Sequence, residues 1–184
     1  MIAISCTDLK GSYITFEGSM KNAIYKIELS KDVKFLSSCQ HMFNLENIIG
    51  SICQISNYQL ENCYCLQNFT FARKEEGDSN TASIGGMAFR NCYNIKNVSL
   101  SPNMESIGSR AFDSAKNLSK MYLPNSIKSI QTEAIQGLSL PLEYNDIPKG
   151  LRELAGNALK QVKIKTITIP SEMTTIPKSG FYNT

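Results

Sequence analysis

Apolar residues recur along this chain in a fixed order. From Ile95 they fall at Ile95, Val98, Leu100, Met104, Ile107, Ala111 and Phe112. The next stretch places Leu118, Met121, Leu123, Ile127, Ile130, Ala134 and Ile135 at the same spacings. Leu142, Ile147, Leu151, Leu154, Ala158 and Leu159 follow, then Ile164, Ile167, Ile169, Met173, Ile176, Gly180 and Phe181. Ile107-Gly108-Ser109-Arg110-Ala111-Phe112 echoes Ile84-Gly85-Gly86-Met87-Ala88-Phe89 at an offset of 23 residues. A period of this size predicts a solenoid in which each coil leans on its neighbours and all of these positions line one interior. Within a unit, Val98-Ser99-Leu100 and Ile167-Thr168-Ile169 alternate as a short strand does. Pro124, Pro148 and Pro170 close that strand, since proline cannot donate to a ladder. A second extended piece follows, as at 104–107, and the Ala-Phe pair is predicted to begin a helical turn that returns the chain. One unit cannot stand alone. Burying seven apolar side chains yields roughly 10–20 kcal/mol, less than the ordering of a whole unit costs at ~1–2 kcal/mol per residue.

The same frame extends toward the N-terminus in degenerate form. Unit starts are read at Ile24, Leu45, Leu66, Ile95, Leu118, Leu142 and Ile164. The step of 29 between Leu66 and Ile95 exceeds the period by six residues, and the polar run Lys74-Glu75-Glu76-Gly77-Asp78-Ser79-Asn80 predicts an exposed inserted loop over 73–82. Residues 24–83 are thus degenerate repeats and 84–184 regular ones. Residues 1–23 lie outside the frame and are read as an N-terminal cap. The last unit stops midway at Phe181-Tyr182-Asn183-Thr184, which predicts that the native protein continues.

These units resemble the BspA-type leucine-rich repeat family, whose unit runs Leu-x-x-Ile-x-Leu-Pro, then Ile-Gly, Ala-Phe and Cys. The matching residues are Leu118-Ser119-Lys120-Met121-Tyr122-Leu123-Pro124, Ile84-Gly85, Ile107-Gly108, Ala88-Phe89, Ala111-Phe112 and Cys92. Ala115, Leu138 and Val162 replace the cysteine later in the chain. The resemblance implies a leucine-rich-repeat solenoid, mostly β, with one short parallel strand per repeat, turns and short helical or 3-10 segments. It also implies secreted or cell-surface proteins with roles in adhesion and protein recognition.

Composition narrows the chemistry. A chain of 184 residues with net charge +3 suits one elongated domain and indicates no strong electrostatic partner. Lys160, Lys163 and Lys165 cluster without interleaved aromatics, so no nucleic acid is expected as a partner. No apolar run is long enough to span a bilayer, and residues 1–30 show no basic stretch followed by an apolar core. Of the six cysteines, Cys63 and Cys92 fall at inward positions and are read as core thiols. Neither a metal nor a cofactor is expected. Cys63-Tyr64-Cys65 lacks zinc spacing, and Glu75-Glu76-Gly77-Asp78 lacks the spaced oxygens of a calcium loop. Cys39 and His41, the lone histidine, are the one nucleophile–base pairing to weigh. With no third orienting group the pair reads as non-catalytic, and the chain as non-enzymatic. Asn68-Phe69-Thr70, Asn97-Val98-Ser99 and Asn117-Leu118-Ser119 fit a glycosylation acceptor pattern at strand positions and are set aside.

Each strand offers two outward positions. Along the stack they are Lys26 and Glu28, Asn47 and Ile49, Asn68 and Thr70, Asn97 and Ser99, Lys120 and Tyr122, Tyr144 and Asp146, Thr166 and Thr168. Strands of a parallel sheet lie about 4.8 Å apart, so these side chains form rows, with a ladder of asparagines beside two tyrosines. Lys120, Tyr122, Tyr144 and Asp146, with Asn97 and Ser99, form the candidate ligand-binding patch. The reading is a protein-interaction or adhesion module for a host or cell-surface protein. The alternative is a structural component or spacer of a larger assembly, such as a surface appendage or virion, with the uncapped C-terminal end docked on a neighbouring subunit.

Overall fold

The computed structural model describes residues 1–6, 16, 18–29, 38–50, 52, 54–71, 81–136, 138, 147–162 and 167–183. It is a β-solenoid with two parallel sheets. The first joins β1 (Ile2–Cys6), β2 (Ile24–Leu29), β3 (Asn47–Ile49), β5 (Asn68–Thr70), β7 (Asn97–Ser99) and β9 (Lys120–Met121) in that order. The second joins β4 (Gln54–Ile55), β6 (Ala82–Ile84), β8 (Met104–Ile107), β10 (Ser129–Ile130) and β11 (Glu153–Leu154). From β3 to β10 successive strands alternate between the two sheets, one to each per coil, and the second extended piece of the repeat is a ladder in its own right. Most of the predicted loop lies outside the described residues, and Ala82, placed at its end, already belongs to β6. β1 pairs in parallel with β2, so the first residues add a strand to the stack.

The expected helical turn is corrected. The arc after the Ile-Gly step is a chain of turns with left-handed residues placed four apart, such as Met87 (φ 54°) with Asn91 (61°) and Arg110 (53°) with Ser114 (64°). Among the described residues the one helical segment is a 3-10 turn at Gly18–Asn22. Backbone donors explain the departure. In one arc, Arg90 and Cys92 donate to Met87 and Phe89 three residues back, both at 3.1 Å. Between them Met87, Phe89 and Asn91 donate to Ser109, Ala111 and Asp113 of the next coil at 2.8–2.9 Å. A helix would spend every donor inside its own turn and leave the coils unconnected. A left-handed residue reverses the peptide planes, so alternate N–H groups reach the neighbour. That conformation costs roughly 1–2 kcal/mol for a side-chain-bearing residue, which the paired donors offset.

The interior follows the repeat. Phe89 and Phe112 stack with ring centroids 5.0 Å apart and planes 7° from parallel, and Phe69 meets Phe89 edge-on at 5.2 Å. Phe181 packs against the same core, partly buried. Ala88, Ala111, Ala134 and Ala158 are all fully buried at matching positions of successive coils. The Ile-Gly step is a close approach of backbones. A Cβ on Gly108 would lie 2.5 Å from the carbonyl carbon of Gly85 and from the nitrogen of Gly86. The last coil departs from the pattern. Ile167, Ile169 and Ile176, expected to be inward, are 39%, 39% and 59% exposed, whereas Met121, Leu123 and Leu154 at equivalent positions are buried.

Cys39, Cys63 and Cys92 are all buried. The Cys63 Sγ donates to the Cys39 carbonyl at 3.1 Å and the Cys92 Sγ to the Leu60 carbonyl at 3.2 Å. Ala115, Leu138 and Val162 stand buried at the cysteine position in later coils. Loss of solvation pushes the Cys63 thiol up to about 12 and the other two well above the usual thiol range.

Two outcomes are expected. Gly108→Val forces apart backbones that touch and lowers stability by about 1–3 kcal/mol or more, read by urea denaturation. Alkylation at pH 8 followed by mass spectrometry leaves Cys39, Cys63 and Cys92 unmodified until the chain unfolds. Because a raised thiol pKa favours the folded state only while the unfolded thiol stays protonated, stability falls as pH climbs from about 9 through about 12. Cys63→Ala makes that fall shallower.

Candidate functional site

The register of the first sheet sets two outward rows. Lys26, Asn47, Asn68, Asn97 and Lys120 are consecutive partners in one row. The second holds Glu28 beside Ile49 and Thr70 beside Ser99, and Tyr122 follows Met121 at the next coil. The asparagine ladder is bonded where Asn97 Nδ2 donates to Asn68 Oδ1 at 2.6 Å. Lys26 bridges the rows to Glu28 at 2.5 Å, and that carboxylate holds the ammonium above its ordinary range. Ile49 and Tyr122 project most, at 52% and 60% exposure. The small side chains of Thr70 and Ser99 lie exposed between them. Small polar side chains thus lie between two larger ones and beside the amide ladder, and this strip is termed the trough. Of the predicted patch, Asn97, Ser99 and Tyr122 come together here, with Lys120 beside Asn97 in the backbone register. Tyr144 and Asp146 lie outside the described residues.

A second set of rows stands on the corner that precedes the first sheet, and the sequence reading passed over it. Phe43, Tyr64 and Tyr93 stack one per coil, with centroids 5.1 and 5.4 Å apart and planes 15° and 24° from parallel. His41 meets Phe43 edge-on at 5.8 Å. Beside the rings runs an amide row. Asn91 Nδ2 donates to Asn62 Oδ1 at 2.8 Å, and Asn62 Nδ2 lies 3.2 Å from His41 Nδ1. His41, Asn62 and Asn91 are all left-handed, a conformation that asparagine and histidine tolerate better than most residues. Behind them, Gln40 donates to Glu61 at 3.2 Å and Arg90 forms an ion pair with Glu61, which is 6% exposed. The signal was present in the spacing. Phe43, Tyr64 and Tyr93 are separated by 21 and 29 residues, the same steps that separate Leu45, Leu66 and Ile95.

The geometry gives little to nucleophilic chemistry at Cys39 and His41. The thiol is buried and held far from ionisation, while the imidazole is exposed and turned to Asn62 and Phe43. Among the described residues no three His, Cys, Asp or Glu side chains gather in a way that could hold a metal ion. Nor is any described helix long and apolar enough to cross a membrane.

Among solved structures, the chain is similar to a leucine-rich repeat protein from Bacteroides ovatus at 24% identity and a TM-score of 0.56, covering 88% of this chain and 47% of that one. It is similar to a leucine-rich repeat protein of T. pallidum at 18% identity and 0.53, covering 85% and 63%. A third is a leucine-rich cell surface protein from Faecalibacterium prausnitzii, at 16% identity and 0.54, covering 73% and 36%. The chain thus spans between about a third and two thirds of the length of these proteins. Among curated proteins none matches. The profile of the BspA-type leucine-rich repeat region matches residues 53–184 in six copies, so this chain, with its two ladders per coil and its Ile-Gly and Ala-Phe steps, belongs to that family.

Proposed function

We propose that the chain is a non-enzymatic protein-interaction module, serving adhesion, that recognises its partner on the trough of the first sheet. The observation that carries this reading is Tyr122, exposed at 60% at the end of a row of small polar side chains and beside a bonded amide ladder. Tyrosine supplies contact area at low entropic cost, while serine and asparagine supply adaptable hydrogen bonds. Asn97 and Ser99 form the floor, Lys120 follows Asn97 in the backbone register, and Tyr144 and Asp146 are assigned to the patch from the sequence repeat alone. The cell-surface description of the Faecalibacterium prausnitzii protein supports an extracellular partner, such as a host or cell-surface protein. The alternative, a spacer or structural component of a larger assembly, draws on the exposed Ile167, Ile169 and Ile176, which would dock a neighbouring subunit.

Surface-plasmon measurements on a panel of purified cell-surface and matrix proteins test the first reading. Tyr122→Ala is expected to weaken a bound protein about tenfold or more, and Asn97→Ala to weaken it less. Binding that is unchanged in both variants removes the trough from consideration. Concentration-dependent association in sedimentation, abolished by Ile176→Lys, would instead favour the structural role.

A further inference from the structure

The aromatic corner has no part in the trough. Tyr93 ends its row, is 45% exposed, and among the described residues stacks on Tyr64 alone. One coil further on, the same repeat position is Lys116, brought alongside by the bond from Asn117 Nδ2 to the Tyr93 carbonyl at 2.7 Å. Lys116 and Lys96 are both exposed, and among the described residues neither forms an ion pair. Arg110 pairs with Glu133 at 2.7 Å and Lys128 with Glu105 at 2.5 Å across neighbouring coils, while Lys149, Lys160 and Lys178, like these two lysines, form no ion pair among the described residues. At this corner the exposed Lys96 and Lys116 stand three residues and one coil beyond Tyr93, with the exposed Asp113 of the next coil accepting the Asn91 backbone N–H.

We propose that this corner binds an anionic polysaccharide. The apolar face of a pyranose ring stacks on Tyr93, as a flat CH surface does on an aromatic face. Hydroxyls of the next sugar meet the side-chain amide of Asn91 and the phenol of Tyr64. A carboxylate or sulfate meets Lys96 and Lys116 in charge-assisted hydrogen bonds. Phe43, Tyr64 and Tyr93 cover one another's faces, so Tyr93 alone of the three offers an open ring face, on the side of the next coil. An acidic peptide is served less well, because it would meet no free strand edge here. The backbone donors of the arc are already spent on their own turn and on the next coil.

The test is calorimetric titration of the whole chain with a heparin-derived hexasaccharide at low and at raised ionic strength. A neutral cello-oligosaccharide and a polyglutamate peptide serve as comparators. The expected result is heparin binding that weakens with salt. Affinity should fall about tenfold or more in the Lys96→Gln/Lys116→Gln double variant and in Tyr93→Leu, and stay unchanged in Tyr122→Ala. Circular dichroism checks the fold, and the exposed lysine pair keeps the test decisive if Tyr93→Leu unfolds. The proposal is overturned by no heparin binding, by unchanged affinity in the lysine double variant, or by polyglutamate binding as tightly as heparin. Loss of binding in Tyr122→Ala overturns it too, and the trough reading can fail or stand without affecting the outcome.

Discussion

Everything in this molecule depends on how the backbone amides of each turning arc are satisfied. The arc must reverse direction while its peptide groups sit close to an apolar core, where an unpaired donor costs about 1–3 kcal/mol. Splitting donors between the same turn and the next coil solves both problems at once. It closes the arc and bonds one coil to its successor on a side of the solenoid where no sheet runs. The two sheets do the same on the other sides, so each coil is hydrogen-bonded to its neighbour around most of its perimeter. Side chains then have no freedom to drift out of line. Phe89 over Phe112, Asn68 beside Asn97 and Tyr64 beside Tyr93 are consequences of that rigid stacking.

The interior was readable from spacing alone, because an inward position imposes an apolar residue every time. Ile84, Ile107 and Ile130 pair in the second sheet as their 23-residue steps require. The asparagine ladder was readable for the same reason, since rows follow once coils are aligned. The arc was not. Its first left-handed position carries Met87, Arg110 and Glu133, residues with no leaning toward that conformation, although Asn62 and Asn91 lean that way at the second, and nothing in Ala-Phe distinguishes a helical turn from a reversed one. What decides between them is the demand of the neighbouring coil, which no local propensity records.

The exposed isoleucines of the last coil were hidden for a different reason. Ile176 occupies the repeat position of Ile130, yet it is 59% exposed where Ile130 is fully buried, and nothing in the local pattern distinguishes the two. The aromatic corner was legible but unread. Its rings obey the repeat steps, including the longer one that carries the insertion, yet they sit outside the strands where an alternating pattern directs attention.

The direction of the ladder bonds has a mechanical consequence. They run along the long axis, from strand to strand and arc to arc. Tension applied between the two ends therefore loads them one coil at a time, in the manner of a zipper, while force along the strands meets a whole sheet in shear. A tether built this way would yield gradually under pull, paying out length coil by coil before the next layer is strained.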